Sequence, residues 1–185
     1  MHAPPAGDRN PGRTMSRTKR LALMAALAAI ALTIFVAEAQ LPPPVPIPGI
    51  KLGLSNIVTL VAMAVLGRRE AGAVLAVRIL LGSVFTGSVS ALIFSAAGGL
   101  FAYLVMCLTV NLFPRKLLWV VSTFAALAHN AGQLAAAVWV SGTPSILVYA
   151  PALVASGVVT GVFTGFGAMY LIRALERLNR GPASK

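Results

Sequence analysis

Asp8, Glu38, Glu70 and Glu176 are the four carboxylates of this 185-residue chain. No two lie close enough in sequence to form a local acid–base pair or a carboxylate metal site. His2 sits near the N-terminus, which leaves His129 as the one histidine deeper in the chain. A Ser-His-Asp arrangement needs an aspartate beside that histidine, and Asp8 is the sole aspartate. No glycine-rich loop ends in Lys-Ser or Lys-Thr, so an ATPase phosphate cradle is excluded. Cys107 stands alone in an apolar run, giving neither a disulfide framework nor a metal cluster. These residues assign no catalytic group, no metal site and no cofactor.

Isolated polar groups set among apolar residues remain. Arg78 lies between "GAVLAV" and "ILLGSV", where a cation is costly unless it faces a bundle interior or a water-filled cavity. Such a guanidinium can grip an anionic ligand group through two bonds; pairing with a carbonyl or with Glu38, or snorkelling to the interface, are the structural alternatives. The stretch "HNAGQ" puts His129 and Gln133 four residues apart and Asn130 and Gln133 three apart, on roughly one helical face. That stripe suits either a small polar ligand or hydrogen bonding between helices. Lys51 and Asn56 add two further polar groups at the start of another apolar run. Together Lys51, Asn56, Arg78, His129, Asn130 and Gln133 form the candidate substrate-binding set.

The elements that must position these groups are membrane helices. The chain is 58% hydrophobic and 10% charged, with a mean hydropathy of +0.86, whereas soluble domains carry about 25% charged residues. Apolar runs approaching ~20 residues can cross a hydrocarbon core of ~30 Å. The reading is an all-α polytopic membrane helix bundle of about six transmembrane spans, near 21–37, 52–66, 71–85, 88–113, 117–140 and 146–171. Spans two and three are short, so a re-entrant pair with four full crossings is the alternative. Residues 1–16 read as a disordered cytoplasmic tail, 17–175 as one transmembrane domain and 176–185 as a cytoplasmic tail. Met15 is an alternative start.

The net charge of +11 is mostly topology. Thirteen of the fifteen basic residues fall before the first run, in the second and fourth connections, or in the C-terminal tail. Basic residues concentrate on the cytoplasmic side, so both termini are expected there, in the cell membrane, with no nucleic-acid partner. Lys51 and Arg78 are the two that this rule does not claim. A basic stretch, an apolar run and Ala37-Glu38-Ala39 also read as a signal peptide with a cleavage site, which would leave five spans.

Gln40 to Lys51 contains five prolines, so no helix survives there. It is either a semi-rigid outside flap over a cavity mouth or a spacer. Gly157, Gly161 and Gly165 form a G-x-x-x-G-x-x-x-G ridge for helix packing, and Ala22-x-x-x-Ala26 with Ala25-x-x-x-Ala29 forms small faces on span one.

"PGIKLGLSNIVTL" (48–60), "GRREA" (67–71), "RILLGS" (78–83) and "HNAGQL" (129–134), in that order, resemble the Gx transporter family, also named heptaprenyl diphosphate synthase component I. The resemblance covers roughly residues 20–172. That family is itself similar to the substrate-binding S components of energy-coupling factor transporters. The resemblance implies six helices, a ligand pocket near the outer face and a gating loop between spans one and two. It also implies an alanine face on span one, matched by Ala22, Ala26 and Ala29, docking a transmembrane coupling subunit driven by cytoplasmic ATPases. Prenyl chain elongation needs aspartate-rich motifs that hold Mg²⁺ against a diphosphate, and with Asp8 alone this chain lacks them. The expected function is uptake of a small solute as an S-component-like protein. The alternatives are a non-catalytic membrane accessory subunit of heptaprenyl diphosphate synthase and a stand-alone secondary carrier.

Overall fold

Ser16 opens the first helix, its hydroxyl accepting from the Lys19 amide at 3.3 Å, a cap that satisfies one of the free first-turn donors. The computed structural model describes residues 15–42, 45–46, 50–87 and 89–180, the side chains of 178–180 excepted. The helices are α1 (Arg17–Glu38), α2 (Asn56–Val65), α3 (Arg68–Thr86), α4 (Val89–Thr109), α5 (Leu118–Ser141) and α6 (Ala150–Arg180). Short 3₁₀ turns, Arg115–Leu117 and Pro144–Tyr149, precede α5 and α6. Among the described residues there is no strand, as the apolar runs predict. The expectations for residues 1–14, 43–44, 47–49, 88 and 181–185 lie outside the described residues.

Three helical stretches are long and apolar enough to cross a membrane: Arg17–Glu38, Val89–Thr109 and Pro144–Arg177. Of the six expected spans, three meet the length and composition of a crossing helix, and α2, α3 and α5 do not. α3 carries Arg68, Arg69, Glu70 and Arg78, and α5 carries the "HNAGQ" stripe. α2 has ten residues, about 15 Å of rise and half of a hydrocarbon core. It begins at Asn56 rather than at Leu52, because Gly53 holds φ of +80°, a left-handed conformation that a helix cannot contain and glycine alone adopts cheaply.

α2 is the buried centre of the bundle. Val58, Leu60, Val61 and Ala62 have no exposure, and α2 packs on α1, α3 and α6. A helix apolar on every side must be covered on every side. At the second corner Gly67, with φ of +112°, separates α2 from α3. The exposed apolar side chains instead line the outer helices, with Trp139 78% and Tyr170 77% exposed, as lipid-facing positions require.

The basic corners cluster at one end of the bundle. Arg20 pairs with Glu70, linking the starts of α1 and α3, and Arg115 pairs with Glu176, linking the α4–α5 connection to the end of α6. Arg68 and Arg115 border one common cleft. Instead of stopping near Leu171, α6 runs on to Arg180. Its 31 residues span roughly 46 Å and outreach the hydrocarbon core.

α5 is clamped between α4 and α6, and glycines set the α5–α6 distance. A β-carbon at Gly161 would fall 2.5 Å from Thr123 Cα, and one at Gly165 would fall 2.4 Å from Trp119 Cα. Ser122 and Thr164 share a buried hydrogen bond of 2.9 Å across the same contact. A side chain at Gly161 meets the Thr123 and Ser122 backbone and the short Ala126 methyl group, none of which can swing aside, so Gly161→Val should lower stability by about 1–3 kcal/mol or more, as overpacking does. A thermal melt in detergent reads this as a reduced Tm; an unchanged Tm would mean that the two helices separate at no cost.

Candidate functional site

At the end of the bundle opposite the basic corners, α1 delivers a carboxylate into the interior. Glu38 closes α1 and is buried. Its Oε1 accepts from the Gly53 amide at 2.6 Å and its Oε2 from the Leu54 amide at 3.1 Å. These two amides belong to the turn before α2, and a charged acceptor makes such bonds roughly twice as strong as neutral ones. One carboxylate thus ties the end of α1 to the start of α2.

The segment between them is fastened from below as well. Val45 and Ile50 are buried in an apolar cluster with Phe94 of α4, Leu134 of α5 and Leu153 of α6. The Lys51 amide donates to Gln133 Oε1 at 3.1 Å. The described part of the connection is thus held by two buried apolar side chains, Val45 and Ile50, and by three main-chain hydrogen bonds to side chains, from Lys51, Gly53 and Leu54.

Beneath it lies a small chamber bordered by Glu38, Lys51, Arg78, His129, Gln133 and the ring of Phe35. The gaps between these groups total about 170 Å³, and none is wide enough for a water molecule. Lys51 Nζ stands 3.5 Å from the centroid of the Phe35 ring, and the Arg78 guanidinium carbon stands 5.4 Å from it. Both distances are within reach of a cation–π attraction. Phe35 is held against Gly82 of α3, where a β-carbon would come within 2.6 Å of the ring. His129 is held between Gly53 and Gly98, again at distances that leave no space for a methyl group.

Several donors bordering this chamber have no hydrogen-bond partner within the protein, Lys51 Nζ and Arg78 Nε and Nη2, and neither does the nearby Asn56 Nδ2. His129 Nε2 and Ser55 Oγ are likewise unpartnered. Buried polar groups are nearly always paired, so this concentration sets the chamber apart from the rest of the bundle.

Of the six expected binding residues, four meet here: Lys51, Arg78, His129 and Gln133. Asn56 is buried next to Gly53 but does not border the chamber. Asn130 points elsewhere: its Nδ2 donates to Leu153 O at 2.7 Å and to Ser156 Oγ at 3.4 Å, so it joins α5 to α6. Consecutive helical residues are turned by about 100°, which carries Asn130 off the face shared by His129 and Gln133. Glu38 and Phe35 were absent from the expected set. Glu38 had a signal, as the one carboxylate at the far end of the first apolar run; Phe35 had none.

Ala22, Ala26 and Ala29 lie on the exposed face of α1, away from the chamber. Gly157, Gly161 and Gly165 face α5.

A family model described as heptaprenyl diphosphate synthase component I matches residues 27–171, a span that runs from within α1 to within α6 and includes every chamber residue. No curated protein and no solved structure matches the chain at a significant level.

Replacing Glu38 by Ala removes the acceptor of two amides, each bond to a charged group being worth about 1.5–3 kcal/mol. The Gly53 and Leu54 amides should then exchange with solvent at least about tenfold faster, read by hydrogen-exchange mass spectrometry on the 50–57 peptide. Unchanged exchange would mean that the buried apolar side chains alone hold the segment down.

Proposed function

The chain belongs to the heptaprenyl diphosphate synthase component I family, and on that premise we propose that it is a non-catalytic membrane subunit of a heptaprenyl diphosphate synthase-type system. The observation that carries this reading is the family match across 27–171, in a chain whose single aspartate, Asp8, cannot build a metal–diphosphate site. The chemistry of chain elongation then falls to a partner subunit, while this chain supplies the membrane anchorage. Its basic end, with Arg20, Arg68 and Arg115, faces the cytoplasm in the cell membrane, where short basic loops are retained, and both termini lie there. The cytoplasmic extension of α6 beyond the hydrocarbon core offers the partner a surface outside the lipid.

A second reading has its own observation. The chamber beside Lys51 and Gly53, with Arg78, His129 and Gln133 converging on it, suits a protein that captures a small solute. It supports an S-component-like role in uptake. In that role the exposed face of Ala22, Ala26 and Ala29 docks a transmembrane coupling subunit that cytoplasmic ATPases drive. Small residues allow the close helix approach such docking uses.

Affinity purification of the full chain from its native membrane separates the two. A prenyl diphosphate synthase subunit is expected among the captured proteins. Recovery of a coupling subunit and ATPases without any synthase would overturn the subunit reading in favour of uptake. In that case Ala26→Leu, which enlarges the exposed face without touching the buried side of α1, should abolish the capture.

A further inference from the structure

Arg78 is 2% exposed, and the two of its nitrogens without a partner are Nε and Nη2. Those two N–H groups lie along one edge of the guanidinium and point the same way. This edge meets the two oxygens of a carboxylate in two parallel hydrogen bonds. A phosphate can be met there too, but it brings a third peripheral oxygen and commonly a second charge that the chamber must also satisfy.

The charge balance of the chamber narrows the choice. Lys51 and Arg78 are the two cations, and Glu38 is the one carboxylate in the chamber. Both Glu38 oxygens accept from the Gly53 and Leu54 amides and neither reaches the Nε–Nη2 edge of Arg78. One formal positive charge is left over. The unpartnered groups are mostly donors: Lys51 Nζ and the two Arg78 nitrogens border the chamber, and Ser55 Oγ beside them can donate as well. A ligand bearing an amine would meet donors with donors and repel both cations. A neutral amide would leave the net charge buried and uncompensated, which is expensive.

We propose that the chamber binds a small organic acid through a single carboxylate, held side-on by Arg78 Nε and Nη2 and capped by Lys51 Nζ over the Phe35 ring. This inference rests on the chamber being a ligand site and holds whichever partner assembles with the chain. The present arrangement is the closed one, since no gap admits water. Entry requires residues 50–54 to move, withdrawing Ile50 from its cluster and parting the Gly53 and Leu54 amides from Glu38. Binding should therefore be slow to start and slow to reverse.

The test uses the purified full chain in detergent, with thermal stabilisation and calorimetry against acetate, benzoate, benzamide, benzylamine and inorganic phosphate. Any co-purifying solute is identified by mass spectrometry after denaturation. Acetate or benzoate is expected to bind and stabilise, and benzamide and benzylamine are expected not to. Arg78→Lys keeps the charge but loses the parallel bonds, and should weaken carboxylate binding by about tenfold or more. Because Arg78 is fully buried and a variant there risks misfolding, Lys51→Gln in the connecting segment gives a second reading, with weaker binding at unchanged melting behaviour of the free protein. Benzamide binding as tightly as benzoate would overturn the carboxylate assignment while leaving the chamber a ligand site. Preference for phosphate, or a co-purifying solute without a carboxylate, would do the same. If no probe binds and no solute co-purifies, the ligand-site reading itself falls, and the subunit reading still stands on its captured partner.

Discussion

A guanidinium buried in an apolar bundle is the constraint around which the rest of this structure is arranged. Arginine does not shed its proton in proteins, and removing an ion from water costs several kcal/mol even after relaxation. The fold meets that cost with a converging set of groups drawn from distant parts of the chain. Glu38 arrives from α1 and Lys51 from the connecting segment, while Phe35 presents its ring to both cations. The short α2 follows from the same need. The chain must stay non-helical through Gly53 and Leu54 so that two amides are free to meet the Glu38 carboxylate, and only then can Asn56 start a helix.

This makes the connection between α1 and α2 part of the site. Its amides are bound to Glu38 and Gln133, and its apolar side chains Val45 and Ile50 are set among α4, α5 and α6. Each fully buried aliphatic side chain contributes about 1.5–3 kcal/mol, so the segment rests in place by several separate contacts of moderate strength. Separate contacts of that size can be broken and remade, unlike a fused helix. The opposite end of the bundle differs in kind: its ion pairs, Arg20–Glu70 and Arg115–Glu176, involve at least one well-exposed side chain each, where such pairs are worth little. One end thus carries exposed charges. The other is closed around charges that water does not reach.

Much of this was legible in the sequence where a periodic or compositional rule applied. Arg78 stood out because the topology rule for basic residues had no place for it, and His129 and Gln133 stood out because four residues make one helical turn. The all-α bundle followed from the apolar runs. What the sequence hid was tertiary. The partners of Glu38 are backbone amides fifteen and sixteen residues further on, and backbone amides have no sequence identity to read. Asn130 carried the same polarity as Gln133 but was rotated toward Leu153, a difference of one position on the helix that composition cannot register. The extent of α2 depended on a positive φ at Gly53, which a hydropathy window averages away. The apolar runs gave a short second span at 52–66, and burial on every side made α2 apolar while leaving it ten residues long.

Stability alone does not explain why a membrane protein would keep this cluster. Replacing a buried ion pair by well-packed apolar residues of similar volume is often neutral or stabilising, and the surrounding bundle is rich in such residues. The glycine walls at Gly82 and Gly98 leave room for Phe35 and His129 and for little else, so the geometry is specified more tightly than support of a helix contact would require. A purely structural polar cluster would also be expected to close on itself, as Ser122 and Thr164 do in the α5–α6 contact. The chamber instead leaves Lys51 Nζ and one edge of Arg78 without hydrogen-bond partners while both Glu38 oxygens accept from backbone amides. With its acceptor committed to the turn before α2 and its donors unpaired, the cluster has the polarity that the proposed carboxylate ligand would complete.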